Sequence, residues 1–256
     1  MEASIHPVSL PVERQVFPAA ELRRKIGRRL LVISPHLDDA VFGCGDALAA
    51  HPGSTVVTVF ACGPSVWLHL TAWDRAAGFQ PGHDAMALRR KEDREALGHL
   101  AAQPIWLPFC DSQYAPPPTA EDIAALLIKA IAEVAPHAVY VPLGLGPSDH
   151  RLTHEAAVSL IPFFSQLEWF AYEEAIHRRL PSSGKAERQE RLRDQGIELT
   201  WLPPGLAASA TKRRSLACYS SQLRALSYPG HPGWNDALEP ETHWALRPPV
   251  ARTASA

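Results

Sequence analysis

The sequence predicts a three-layer α/β sandwich in which helices cover both faces of a mainly parallel sheet. Short apolar or β-branched runs alternate with stretches of helical periodicity along most of the 256 residues. Such alternation favours parallel pairing, because each crossover helix returns the chain to the same end of the sheet. The chain is long enough to bury the core that one such domain needs.

Six segments read as strands. The first has the continuous apolar run Leu30-Leu31-Val32-Ile33, which is typical of a strand buried on both faces. The fourth has the similar run Ala138-Val139-Tyr140-Val141, and the others have shorter apolar or β-branched runs. The predicted strands cover 29–34, 54–62, 104–109, 138–144, 168–173 and 197–202.

Helical patterns fill the intervals between these strands. Met86, Leu97 and Leu100 form an apolar face on the second helix, and Thr119 is a suitable N-cap for the third. The predicted helices cover 40–50, 84–101, 120–135, 151–163, 185–195 and 207–226.

Two segments break the alternation. Residues 63–83 are rich in aromatic residues and glycine, and they leave the carboxyl end of a strand, where long loops often form lids or substrate walls. A loop held down by its own aromatic side chains is the alternative. From residue 228 onward the chain is rich in proline, and we expect an irregular tail on the surface. We expect one domain over residues 1–256, with its core at about 28–226.

The composition excludes several partner classes. A formal net charge of -2 gives no reason to expect a nucleic acid as partner, and no stretch approaches the ~20 apolar residues of a membrane span. The N-terminus lacks the basic and apolar segments of a secretory signal. The four cysteines lack zinc-finger spacing and are typical of reduced thiols, so we expect a cytoplasmic protein.

Polar side chains follow the first and fourth predicted strands. His36, Asp38 and Asp39 come after the first, and Asp149 with His150 comes after the fourth. Because the carboxyl ends of parallel strands share one edge of the sheet, ligands of such folds collect there. His36 and Asp39 can both face a cation, whereas Asp38 is left free to handle protons. Two His/Asp clusters at two strand ends therefore indicate one metal site.

Two histidines and one carboxylate leave a coordination position open, as in a catalytic zinc site that carries water. Bound water of this kind loses its proton near neutral pH. The ligand set also suits Fe(II), Co(II) or Ni(II). A helix N-cap is the alternative for the two carboxylates, but it leaves His36 and the later pair unexplained. A dinucleotide site is disfavoured, because His-Leu-Asp-Asp lacks the glycines that admit a pyrophosphate.

The stretch LLVISPHLDDAVFGCG resembles the PIG-L/LmbE-like zinc deacetylases, whose marker is His-x-Asp-Asp after the first strand. The later SDHRLTH resembles the family's second marker, usually written His-x-Asp-His. Further similar stretches are WDRAAGF, ALRRKEDREAL, LPFCDSQY, WFAYEEA and KRRSLACYSSQ, so the resemblance runs from about residue 28 to 224. It implies a Rossmann-like fold. The first marker has the form PHLDDAV here, which resembles the members of the family that deacetylate antibiotics and cell-surface sugars.

The resemblance implies a role for each residue of the two clusters. His36, Asp39 and His150 would bind Zn2+, and Asp38 would take a proton from the metal-bound water. Asp149 looks like a carboxylate that orients a catalytic or ligand group. The implied reaction is hydrolysis of an N-acyl, usually N-acetyl, group on an amino sugar. The implied partner is a small amino sugar or glycoconjugate, and the sequence leaves room for a homo-oligomer.

Three further residues are candidates for substrate contact. Arg75 suits a sugar hydroxyl or a phosphate, and Trp73 can stack on a pyranose ring. Tyr172 ends the fifth predicted strand and is expected to face the cleft. Each has an alternative explanation in ordinary surface or loop packing.

One position departs from the family's pattern. Pro147 stands where the second marker usually begins with histidine, a residue that in some relatives stabilises the oxyanion or protonates the leaving amine. His154, one helical turn beyond His150, is a candidate substitute, as are His69 and His83 in the 63–83 loop. Two rival functions stay open: a metal- and sugar-binding protein without turnover, and a metal-dependent amidase with a non-sugar substrate.

Overall fold

The computed structural model describes residues 28–64, 69–229 and 233–248, and residues 65–68 of the predicted loop lie outside it. Seven strands form one sheet in the order β3-β2-β1-β4-β5-β7-β6. Strands β1 to β5 are parallel, whereas β7 is antiparallel to both of its neighbours. The strands are β1 (Leu30–Ser34), β2 (Thr55–Thr58), β3 (Gln103–Trp106), β4 (Ala138–Pro142), β5 (Glu168–Tyr172), β6 (Glu198–Trp201) and β7 (His243–Arg247).

Helices connect the strands in the predicted alternation. They are α1 (Asp39–Ala49), α2 (Ala72–Ala76), α3 (Ala85–His99), α4 (Ala120–Val134), α5 (Ser148–Val158), α6 (Lys185–Asp194), α7 (Ala210–Ala217) and α8 (Ser220–Leu226), with a 3-10 turn at Asn235–Leu238. None of the helices in the described ranges combines the length and the apolar character that crossing a membrane requires.

The first strand shows why the sheet is covered on both faces. All five residues of β1 are buried, and successive side chains of a strand point to opposite faces. Leu31 and Ile33 join one apolar cluster, which includes residues of α4 and α5. Leu30 and Val32 join the other, which includes residues of α1, α3 and α7. The predicted three-layer α/β class is therefore confirmed.

The prediction of an irregular tail from residue 228 onward is wrong at β7. Residues 243–247 insert between β5 and β6 and complete the sheet. Prolines flank this strand at 240 and 248 but do not interrupt it, so its amides remain free to pair on both sides. Leu246 is buried in the core, which adds apolar contact to the two hydrogen-bonded ladders.

Two other segments differ from the predicted elements. The 63–83 connection contains α2, which begins at a capping box formed by Thr71 and Asp74. The single helix predicted over 207–226 is two helices, because the chain turns at Cys218 and Tyr219. Neither a glycine nor a proline marks that break.

The close packing of α1 on the sheet gives a test of this architecture. An alanine at Gly43 would place its Cβ 2.5 Å from Cδ2 of the fully buried Tyr172. Overpacking of this kind should lower the free energy of unfolding by about 1–3 kcal/mol. Gly98 in α3 is the matched control, because a Cβ there meets nothing within 4 Å. Gly98→Ala should raise the free energy by up to about 1 kcal/mol. Urea denaturation measures both, and equal changes would contradict this packing.

Candidate functional site

The two predicted His/Asp clusters lie side by side at one end of the sheet. β1 and β4 are adjacent and parallel, so the turn after each strand opens on the same edge. His36, Asp38 and Asp39 follow β1, while Asp149 and His150 lie in the first turn of α5. All five line a cavity of about 350 Å³.

A short hydrogen-bonded turn fixes the first cluster. The Ser34 hydroxyl donates to the carbonyl of His36 at 2.6 Å and accepts from the amide of Ala40 at 2.9 Å. The backbone amide of His36 donates to Oδ2 of Asp39 at 2.9 Å. These bonds lock the strand-to-helix junction, so the imidazole and the carboxylates leave it in defined directions.

Three side chains converge in a way that suits a cation. Oδ2 of Asp39 lies 3.3 Å from Nδ1 of His36 and 3.4 Å from Nε2 of His150. One donor atom from each of these residues lies within 4.8 Å of the others. Two imidazole nitrogens and a carboxylate oxygen are the ligands of catalytic zinc sites, so the donor set fits a divalent cation.

A second carboxylate holds the far side of each imidazole. Nε2 of His36 lies 3.3 Å from Oδ2 of Asp149 and 3.5 Å from Oδ2 of Asp111. Nδ1 of His150 lies 3.3 Å from Oε1 of Glu174, which also accepts from the amides of Gly144 and Leu145. Carboxylates in this position fix the tautomer and orientation of a ligating histidine. Asp149 lies in such a position beside His36, and its orienting role stays a prediction.

Asp111 and Glu174 are functional candidates that the sequence reasoning missed. Each is a carboxylate that follows a strand of the parallel part of the sheet, β3 or β5. That is the signal that identified Asp39 and Asp149, so applying it to every strand end would have found them.

The cluster carries more negative than positive charge. Asp38, Asp39, Asp149 and Glu174 are at most 7% exposed, and two imidazoles face them. Among the described residues, Oδ1 of Asp149 and Oε2 of Glu174 are buried without a hydrogen-bond partner. Burying uncompensated carboxylates is costly, and a divalent cation among them removes much of that cost. This charge balance is a second reason why a metal ion fits.

The two adjacent aspartates have opposite pKa shifts. Burial and the negative charge of Asp39 raise the pKa of Asp38 to about 7. Burial also acts to raise the pKa of Asp39, but the imidazoles of His150 and His36 outweigh it and hold this pKa well below its usual range. Asp39 therefore stays anionic, while Asp38 can exchange a proton near neutral pH.

The three predicted substrate contacts have different outcomes. Trp73 lines the cavity, and its indole nitrogen donates to Oε1 of Gln222. Tyr172 is fully buried, its hydroxyl donates to the carbonyl of Ile33, and it is absent from the cavity wall. Arg75 is exposed outside the cavity and donates to the carbonyl of Leu70. Arg89 lines the cavity instead, and its guanidinium pairs with Asp74 at 2.9 Å.

The three histidines considered as substitutes at the Pro147 position lie away from the cavity. Nδ1 of His154 bonds the carbonyl of Pro142, and this side chain lines a separate cavity. His69 and His83 are exposed. Pro147 itself is in the cavity wall, and so is His177, a histidine that the sequence reasoning did not consider.

Comparisons with known proteins indicate the family and the fold of this chain. The family model described as PIG-L, GlcNAc-PI de-N-acetylase, matches residues 31–161. The solved structure of the A40926 pseudoaglycone deacetylase Dbv21 is 25% identical, with a TM-score of 0.66, and the match covers 88% of this chain and 99% of that one. A triple mutant of a deacetylase from the teicoplanin biosynthetic pathway is 26% identical, with a TM-score of 0.68 and coverage of 89% and 100%.

A zinc-inhibited form of the teicoplanin deacetylase Orf2, 24% identical, has a TM-score of 0.69 and coverage of 89% and 100%, and it supports the fold alone. The comparison with curated proteins found no match.

Metal binding can test whether Glu174 orients His150. Glu174→Gln should weaken Zn2+ binding about 10–100-fold, because the imidazole loses the carboxylate that fixes its tautomer. Glu173 is the matched control, since its carboxylate contacts Lys185 and Trp244 instead of His150. Glu173→Gln should therefore bind Zn2+ as the wild type does. Calorimetry with a competing chelator measures both, and equal affinities in the two variants would contradict the role of Glu174.

Proposed function

The chain belongs to the PIG-L family, and from that premise we propose that it is a metal-dependent N-deacetylase that removes an N-acyl group from an amino sugar. One observation carries the proposal. His36, Asp39 and His150 converge at the floor of a cavity, and Asp38, a carboxylate with a pKa of about 7, lies beside them. Metal-dependent amide hydrolysis needs a cation site next to a proton acceptor, and this cavity has both.

We propose that His36, Asp39 and His150 hold the metal ion and that the ion is Zn2+. Two imidazoles and one carboxylate favour zinc over the hard cations Mg2+ and Ca2+. When bound, a zinc ion would polarise the acyl carbonyl and lower the pKa of a water molecule. Asp149 and Glu174 would keep the two imidazoles in the orientation that binding needs.

Asp38 is the proposed general base. It lines the cavity, and its raised pKa lets the carboxylate accept a proton near neutral pH. As the water oxygen forms its bond to the acyl carbon, Asp38 takes up the water proton. The proton then passes to the amide nitrogen while the C–N bond breaks, which releases the carboxylic acid and the free amine.

The residues that line the cavity favour, as substrate, an amino sugar that carries an apolar group. Leu37, Phe60 and Met86 line its walls, and Trp73 offers an indole for packing against a pyranose ring. Two similar solved structures are deacetylases, one named for the A40926 pseudoaglycone and one for the teicoplanin pathway. By analogy, we propose a glycoconjugate as the substrate class.

Two further proposals concern the whole chain. We propose that residues 1–256 form a single domain of this family, since β7 joins the end of the described chain to the central sheet. We also propose a reducing, cytoplasmic location, because Cys44, Cys62, Cys110 and Cys218 are all free thiols.

Amine release tests the function. Zn2+-loaded wild type should release amine from a panel of N-acetylglucosamine conjugates, and chelation should abolish this activity. Asp38→Asn should lower kcat by ~10²–10⁴-fold with one Zn2+ still bound per chain, because the amide cannot accept the proton. Asp194, exposed at the end of α6, is the matched control, and Asp194→Asn should behave as wild type.

Two outcomes would contradict the proposal. Full activity of Asp38→Asn would remove Asp38 as the base. Binding of Zn2+ and of a conjugate by the wild type without amine release would favour the binding-only alternative, for which Pro147 is the motivating observation.

A further inference from the structure

His177 is an imidazole in the cavity wall to which the proposed mechanism gives no role. Its side chain is partly exposed, and its ring centroid lies 4.9 Å from that of His150, with the two planes at 88°. The proposed metal ligand His150 is therefore its immediate neighbour, and Asp38 lines the same cavity.

The fold places this ring through a tight turn and one glycine. The amide of His177 donates to the carbonyl of Glu174 at 3.0 Å, so the turn that holds His150 also carries His177. Gly146 has φ +79°, and a Cβ there would lie 2.8 Å from Cγ and from Nδ1 of His177. The Nδ1 side of the ring packs against the bare backbone of Gly146, which leaves Nε2 on the opposite side of the ring.

The other imidazoles near this end of the sheet have hydrogen-bonding or ionic partners, whereas the His177 ring has none among the described residues. Both nitrogens of His36 and of His150 face carboxylates, and Nδ1 of His154 bonds a backbone carbonyl. Within residues 28–64, 69–229 and 233–248, no hydrogen bond joins the His177 ring to another group. An imidazole placed beside a reaction centre without a protein partner is available to the substrate.

Several other donor groups of the cavity wall already have acceptors within the protein. The Arg89 guanidinium donates to Asp74 and Tyr114, and Nε2 of Gln113 donates to Asp111. Pro147, next to the Gly146 that His177 contacts, has no N–H group to offer. His177 fills this part of the wall with a side chain that can donate.

We propose that Nε2 of His177 donates a hydrogen bond to the acyl carbonyl oxygen of the substrate as that oxygen becomes negative. The inference rests on the proposed deacetylase function and adds a catalytic residue to it. His177 keeps its proton throughout, while the water proton travels through Asp38 to the leaving amine. A fixed donor aimed at a developing oxyanion acts mainly on the transition state, so it should affect kcat more than KM.

Kinetics of His177 variants test the assignment. His177→Ala should lower kcat by ~10²–10³-fold, the usual cost of losing one oxyanion donor, with KM within a few-fold of the wild type. His177→Gln should recover part of the loss, because its amide can still donate. Arg179, an exposed residue two positions along the same turn, is the control, and Arg179→Ala should leave kcat unchanged.

Gly146→Ala approaches the same question without altering His177. The new Cβ would displace the imidazole, so its loss in kcat should resemble that of His177→Ala. The double variant should then lose little more than either single variant, because both changes remove the same interaction. Additive losses would overturn the assignment.

Binding gives a readout that is independent of turnover. A phosphonamidate analogue of the N-acetyl substrate, which mimics the tetrahedral oxyanion, should bind His177→Ala ~10²-fold more weakly by calorimetry. The Zn2+ content should stay at the wild-type level. Loss of Zn2+ would make His177 a metal ligand, and unchanged analogue affinity would remove it from the oxyanion site, so either result overturns the proposal.

The two proposals fail in different ways. A wild type that releases no amine from any conjugate refutes the deacetylase function, and the role of His177 with it. A wild type that works while His177→Ala is equally fast refutes only the role of His177.

Discussion

The burial of charged groups at one end of the sheet is the constraint on which the rest of the site depends. Four carboxylates and the imidazole of His150 are buried there, with His36 partly exposed beside them, and each buried charge needs compensation inside the protein. Imidazoles and carboxylates alternate in this cluster. His36 lies between Asp39 and Asp149, and His150 lies between Asp39 and Glu174. The excess of negative charge suits a divalent cation, which would both offset the cost of burying the carboxylates and serve the proposed reaction.

That arrangement links parts of the chain that are far apart in sequence. The carboxyl ends of β1, β3, β4 and β5 each contribute a charged group, and their positions depend on strands paired in parallel register. One turn after β5 supplies both Glu174, which contacts His150, and His177 in the cavity wall. A displacement of this turn would therefore disturb the proposed metal ligand His150 and the cavity wall together.

The sequence identified the parts of the fold and site that depend on local patterns. The buried runs of β1 and β4 are apolar at nearly every position, and the polar residues that follow them stand out. Asp111 and Glu174 occupy strand-end positions that the sequence reveals, but their closeness to His36 and His150, like that of His177, depends on strand order, which no local pattern contains. Tyr172 was misjudged because both faces of β5 are covered, so alternation does not reveal whether its ring faces the cleft or the core. The strand β7 was not predicted, because the prolines on both sides of it are typical of irregular chain.

The position of β7 also has a consequence during synthesis on the ribosome. β6 pairs with no strand but β7, and β7 lies between it and β5. Until residues 243–247 have left the exit tunnel, β6 cannot dock and the edge of β5 remains open. At about 5–20 residues per second, synthesis of the chain between β5 and β7 takes on the order of ten seconds. An open strand edge pairs readily with other chains, so the nascent protein is exposed to aggregation until its sheet can close.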